Sequence, residues 1–213
     1  IRSCIMKAKQ RFILMADVVG SHEKDGQELM ADFQVLVSYT NKIYSESIES
    51  PLTITLGDEF QGIVSSAIAG IDIILAMEEY ILEEEFDFKL RYVLYEGVVE
   101  TEVNPEKAYE MLGSGLTNAR KRLNEMKKDT GRFYVSTKSS TAINKMMKVT
   151  QHFIDSWHPK DRSTVSGFLQ GHDYKALAKI QQKDESTLWR RRKSLAIDEY
   201  LLCKDLIHHL VNG

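Results

Sequence analysis

The sequence predicts an α+β protein: a sheet of split β-α-β units covered by helices on one face, followed by a small all-helical region. Three observations carry this. Apolar runs of strand length alternate with amphipathic helical patterns in the order strand, helix, hairpin, helix, strand, which is the ferredoxin-like or palm arrangement. Residues 160–213 show helical periodicity alone. The chain has 213 residues and 43% hydrophobic content, enough for one ordinary domain and a small appendage. The boundary is placed in the polar stretch Lys160-Asp161-Arg162-Ser163 that follows Pro159, giving domains at 1–159 and 160–213.

Residues 11–16 form the first apolar strand, which ends at Asp17-Val18-Val19-Gly20-Ser21. Ser21 or Asp25 can cap a helix of about five turns on which Leu29, Met30, Phe33, Leu36, Val37 and Thr40 recur at three- and four-residue intervals. Residues 46–51 break it. The β-branched Thr53, Ile54 and Thr55, then Gly57-Asp58-Glu59, then Phe60 and Ile63 read as a tight hairpin whose turn carries two carboxylates. Residues 67–82 are apolar on more than one side, as expected of a helix packed on a sheet, and Glu83, Glu84 and Glu85 make a solvated end. Residues 86–99 read as a long strand and 101–106 as a loop. A helix is expected to begin at 108–112, to break at Gly113-Ser114-Gly115 and to continue over 116–128. Residues 132–136 read as a closing strand, 139–147 as a short helix and 149–159 as a strand or packing segment.

Charge divides the chain. The net charge is −3, but residues 159–213 carry 10 Lys/Arg against 7 Asp/Glu, leaving the preceding body acidic. This excludes wholesale coating of nucleic acid and fits a metal-competent body with a mildly basic tail. Cys4 and Cys203 lie at opposite ends without metal-ligand spacing, so a disulfide framework and a structural zinc site are not expected, and a reducing cytoplasm is the simpler setting. No apolar run is long enough to span a membrane.

Asp17 and Asp58 both stand at strand ends, and neighbouring strands would bring them to one site. One or two carboxylates completed by water and substrate phosphates suit Mg²⁺, and the backbone N–H groups after Asp17 can cradle phosphates. Asp17 and Asp58 are therefore read as metal ligands, and Val18, Gly20, Ser21 and Glu59 as nucleotide-binding residues. Both aspartates are expected to tolerate Asn with little loss of stability. Asn118 and Arg122, four apart on one helix face, are read as the pair that orients a ribose and stabilises charge on a transferring phosphate.

Met15-Ala16-Asp17-Val18-Val19-Gly20-Ser21 resembles the first metal-binding motif of class III nucleotide cyclases, and Leu56-Gly57-Asp58-Glu59-Phe60 resembles their second motif and the signature of diguanylate cyclases. Residues 90–99 resemble the strand that crosses the cyclase palm, and 113–123 the helix that brings a transition-state Asn and Arg. Two registers remain open there, since matching Gly113 and Ala119 puts Thr117 and Lys121 in place of Asn118 and Arg122. Ile54 stands where the cyclase pattern has a base-reading Lys. The resemblance implies a palm with two metal ions and a site completed across a homodimer. With its tail, the whole chain resembles the SatD family.

In the tail, residues 174–180 and 184–195 resemble a helix-turn-helix, with Ala178 and Leu188 packing inward. Ser186, Thr187, Arg190, Arg191 and Lys193 are read as contacts to double-stranded DNA, and at least one of the four successive cations 190–193 is expected to snorkel over the domain's own surface. Gln181 and Lys183 stand where that motif has apolar residues. Two functional readings follow. One is a regulator whose palm binds a nucleoside triphosphate or cyclic nucleotide with Mg²⁺ and biases a DNA-binding tail. The other is a Mg²⁺-dependent nucleotidyl cyclase or related phosphoryl-transfer enzyme, its terminal helices serving dimerisation.

Overall fold

A computed structural model of the chain describes residues 9–21, 26–55, 57–137 and 140–212. Asp25, Cys4 and Leu56 lie outside them. The elements run β1 (Lys9–Val18), α1 (Gly26–Ile43), β2 (Ile48–Ile54), β3 (Glu59–Val64), α2 (Ala67–Glu83), β4 (Leu90–Val99), α3 (Ser114–Met126), β5 (Phe133–Ser136), α4 (Ser140–Ser156), α5 (Arg162–Leu169), α6 (Tyr174–Gln181), α7 (Glu185–Ser194) and α8 (Ile197–Asn212). The sheet order is β2-β3-β1-β4-β5. All pairings are antiparallel except β4 with β5. The first four strands and two helices thus make a complete ferredoxin-like β-α-β-β-α-β unit, and α3 and β5 extend it by a parallel crossover.

Side-chain alternation along β1 divides the core. Leu14, Ala16 and Val18 pack with Phe33 and Leu36 of α1 and Ile73, Ile74 and Met77 of α2. Ile13 and Met15 pack on the opposite face with Ala119, Leu123 and Met126 of α3. Helices therefore cover both faces, not one, because the β4-α3-β5 crossover lays α3 on the side that α1 and α2 leave bare. α3 lies close against the sheet at two glycines: a Cβ on Gly115 would stand 2.7 Å from the Gly97 carbonyl carbon and 2.8 Å from Val98 N.

Three further elements differ from their sequence reading. β4 begins at Leu90, not at 86. Residues 108–112 are not helical; Ala108 and Met111 are buried beside α3, and their segment ties to β2 through Ala108 N–H donating to Thr53 Oγ1 (2.9 Å) and Tyr109 Oη to the Ile54 carbonyl. Tertiary packing there overrides local propensity. Residues 149–156 continue α4 as one helix in which Ile143, Met147 and Thr150 line the buried side. The aromatic run 153–157 suggested extended chain, but its spacing also serves a helix packed on β5 and α8.

Each edge strand is closed by one asparagine. On β2, the Leu52 N–H donates to Asn41 Oδ1 and the Asn41 amide donates to the Leu52 carbonyl, both at 2.8 Å. On β5, Asn144 takes the Val135 N–H at 2.8 Å and donates to its carbonyl at 2.6 Å.

The C-terminal region is wholly helical. Phe168, Leu177, Ala178, Leu188, Ile197 and Tyr200 close a third cluster that also takes Leu82 of α2 and Trp157. Ala178 and Leu188 pack as expected. Gln181, where an apolar residue was wanted, accepts from the Thr164 hydroxyl (3.1 Å), so a hydrogen bond replaces apolar filling. Within the palm, Arg132 ties α2, β4 and α4 together: it donates twice to Glu78 (3.0 and 2.8 Å), to the Leu90 carbonyl (2.7 Å) and to Asp155 (3.2 Å) in nearly complete burial.

Candidate phosphate and metal site at the sheet end

The pairing register sets three charged residues side by side on the α3 face: Glu59 of β3 opposite Asp17 of β1, and Asp17 opposite Arg91 of β4. Two like charges directly opposite each other cost stability unless cations offset them. Here they do. Arg91 Nη1 donates to Asp17 Oδ1 at 2.7 Å, and Lys127 Nζ stands 3.3 Å from Oδ2. Arg120 Nη2 meets Glu59 Oε1 at 2.6 Å and also donates to Gln61 at 3.3 Å. Arg120 and Lys127 are seven apart, so α3 presents both from one face, on either side of the buried Leu123.

The β2–β3 turn brings in Asp58. Gly57 takes φ +82, a left-handed conformation that glycine adopts without strain. The Asp58 carbonyl accepts the Val18 N–H at 2.9 Å, which fastens the turn to the loop after Asp17, and the Ser21 hydroxyl donates to Asp58 Oδ2 at 2.5 Å. Gly20 is also left-handed, at φ +68. The structure thus brings together Asp17, Val18, Ser21, Asp58 and Glu59, as their strand-end positions suggested.

Asp17 is buried, which bears on the expectation that Asn is tolerated there. Its side chain is 4% exposed. Burial pushes its carboxyl above the ordinary range, and the opposing pull of Arg91 and Lys127 does not cancel that push. Asp17→Asn is therefore expected to cost stability, because it leaves the buried Arg91 guanidinium without its anion. Asp17 Oδ2 is buried and has the Lys127 ammonium, 3.3 Å away, beside it in loose hydrogen-bond geometry. A buried carboxylate oxygen faced only by a half-exposed lysine, beside a second carboxylate, is chemistry that fits one hard divalent cation completed by water and phosphate. Among the described residues no group of three or more His, Cys, Asp or Glu forms a metal cage.

Asn118 and Arg122 stand elsewhere on α3. Asn118 is exposed, and Arg122 lies 4.2 Å over the Tyr134 ring and 3.5 Å from Glu125. Neither meets the carboxylates in this chain. The residues that do are Arg91, Arg120 and Lys127; the sequence drew notice to Arg120 on this helix without giving it a role, and marked neither Arg91 nor Lys127 as a site residue. A signal was present for Arg91, a charge inside a buried strand that demands a partner.

In the tail, Ser186, Thr187, Arg190 and Lys193 are exposed on α7. Arg191 pairs with Asp161, while Arg192 pairs with Asp198 at 2.7 Å and lies 5.3 Å from the Phe168 ring centre, the expected cation over the domain's own surface. No helix among the described residues is long and apolar enough to cross a membrane.

A ferredoxin-like sheet with a carboxylate row at one end, extended by a helical C-terminal region, defines a palm-type α+β protein. The chain belongs to the SatD family, whose model matches residues 12–211. No curated protein matches it. Among solved structures it is similar to the monomeric guanylyl cyclase domain of the RhoGC fusion protein from the aquatic fungus Blastocladiella emersonii, with 17% identity over 65% of this chain and 87% of that one, TM-score 0.44. It is also similar to the catalytic core of a rhodopsin-guanylyl cyclase with converted specificity in complex with ATPαS, with 16% identity over 61% and 78%, TM-score 0.42. A third, a bacterial light-regulated adenylyl cyclase, is 11% identical over 61% of this chain and 43% of that one, TM-score 0.43.

Proposed function

We propose that the sheet-end site binds a nucleoside triphosphate or cyclic nucleotide together with Mg²⁺, and that the protein acts as a regulator. The observation that carries this is the buried Asp17 Oδ2, met only by the half-exposed Lys127, in a row of carboxylates that Arg91 and Arg120 also face. Asp17 and Asp58 would hold the ion, which when bound supplies charge neutralisation for phosphates. Contrary to the sequence expectation for Val18, the Val18 and Val19 N–H groups are taken by the Asp58 and Lys89 carbonyls and the Ser21 hydroxyl by Asp58 Oδ2, so the charged side chains of α3 are the donors for phosphate oxygens. Arg120 and Lys127 add positive charge from α3.

The test is a calorimetric titration with a panel of nucleoside triphosphates and cyclic nucleotides, with and without Mg²⁺. Asp58→Asn is expected to weaken Mg²⁺-dependent binding by at least about tenfold. Its melting temperature should stay near that of the parent, since Asp58 is a partly exposed turn residue. Normal binding by this variant sinks the reading. Product formation in the same samples would favour turnover; Asn118 and Arg122, turned away from their own chain's carboxylates, would then serve a second copy in a homodimer.

The tail supports a second component of the regulator. α6 and α7 are joined by a short turn in which Gln182 is left-handed, and α7 buries Leu188 while exposing Ser186, Thr187, Trp189, Arg190 and Lys193. We read this face as one that meets double-stranded DNA through phosphate contacts. Arg190→Ala with Lys193→Ala should lower the slope of log affinity against log salt by about 2 in an anisotropy titration with mixed-sequence duplex. A parent protein without salt-dependent binding removes DNA from the reading.

A further inference from the structure

The two cations on Asp17 differ in character. Arg91 is held inside, its side chain 10% exposed and its guanidinium aligned on Oδ1. Lys127 follows the last turn of α3, is 51% exposed, and faces Oδ2 at 3.3 Å without an aligned hydrogen bond. A lysine ammonium is a compact, strongly hydrated point charge on a flexible stem, so it can leave without unfolding its helix, whereas the buried arginine cannot. Around the site, Asp17, Asp58 and Glu59 face Arg91, Arg120 and Lys127, three charges against three. A divalent cation approaching Asp17 therefore meets a neutral cluster with its best oxygen already faced by a charge.

We propose that Lys127 is a tethered counter-ion that competes with the divalent cation for Asp17 Oδ2 and, once displaced, turns its ammonium to the phosphates of the bound ligand. This rests on the nucleotide and Mg²⁺ reading above. Its consequence is that metal alone binds weakly while metal and polyphosphate bind together: the polyphosphate supplies the negative charge that the cluster lacks and gives Lys127 a new partner. The exchange is open to Lys127 because its side chain is half exposed, so water or a phosphate can take up the ammonium as the divalent cation replaces it on the buried carboxylate.

The experiment uses Mn²⁺ as the probe, followed by electron paramagnetic resonance, on the full chain with Lys127→Met, which keeps the stem, and Lys127→Arg, which keeps the charge. Lys127→Met should bind Mn²⁺ alone about fivefold more tightly than the parent. With inorganic triphosphate present, its advantage should vanish or reverse, and Lys127→Arg should stay near the parent in both. Melting temperatures verify that both variants fold. Equal affinity of the parent and Lys127→Met for Mn²⁺ alone overturns the competition while leaving the site reading intact. Absence of Mn²⁺ binding in all three proteins, with and without triphosphate, overturns the site reading and this inference with it.

Discussion

Gly115→Ala is expected to destabilise the protein by about 2 kcal/mol, although alanine is the better helix former. Gly115 lies in α3 where the helix meets β4, and its added Cβ would stand 2.7 Å from the Gly97 carbonyl carbon, 2.8 Å from Val98 N and 2.8 Å from Ile13 Cδ1. Two of these are backbone atoms of a central strand, which cannot yield. The helix must move outward instead, carrying Arg120 and Lys127 away from Glu59 and Asp17. Thermal melting should fall by roughly 5 °C, with nucleotide titration weakened in parallel. Gly131→Ala, where nothing lies within 4 Å of the new Cβ, is the control and should be nearly neutral. An unchanged melting temperature for Gly115→Ala would mean that the approach of α3 to β4 is not limiting.

The other large effect concerns the buried ion pair that ties α2 to the start of β5. Glu78→Ala is expected to cost about 3–5 kcal/mol, because it leaves the Arg132 guanidinium buried with much of its charge uncompensated. Asp155, 3.2 Å away, is more exposed and already shared with Lys89, so it offsets only part of the loss. Removing both charges is predicted to be milder: Glu78→Leu with Arg132→Met should be more stable than Glu78→Ala alone, because no orphaned ion remains. Chemical denaturation of Glu78→Leu, Arg132→Met and the double variant measures the coupling. If Glu78→Ala melts with the parent, Asp155 and solvent suffice for Arg132 and the pair is incidental.

What the sequence made legible follows from which forces act locally. The split β-α-β order could be read because α1 carries a clean helical period, β1 is an apolar run of strand length, residues 67–82 are apolar on more than one side as a helix packed on a sheet is, and Gly57 marks the turn that presents Asp58. The tail helices were visible for the same reason, with Ala178 and Leu188 falling on the buried side. The segment 108–112 was misread because its conformation is set by contacts with β2 and α3, distant in sequence. Helix α4 was cut short because its aromatic end mimics an extended run. At the site, the carboxylates were legible from their strand-end positions, whereas their cations were not. Arg120 and Lys127 look like solvated helix charges until α3 is docked, and only docking shows that Asn118 and Arg122 point elsewhere.

The two asparagines on the edge strands bear on assembly. An edge strand with free N–H and C=O groups is a template on which another chain can continue the sheet. Asn41 and Asn144 each consume both groups of one edge peptide, Leu52 on β2 and Val135 on β5. β2 also carries Pro51 and two breaks in register, and β5 is only four residues long. The sheet is thereby sealed at both margins against growth by strand addition. A second copy of this chain would have to meet the first through helix and loop surfaces, and any pairing of two sites would join separate sheets rather than one continuous ribbon.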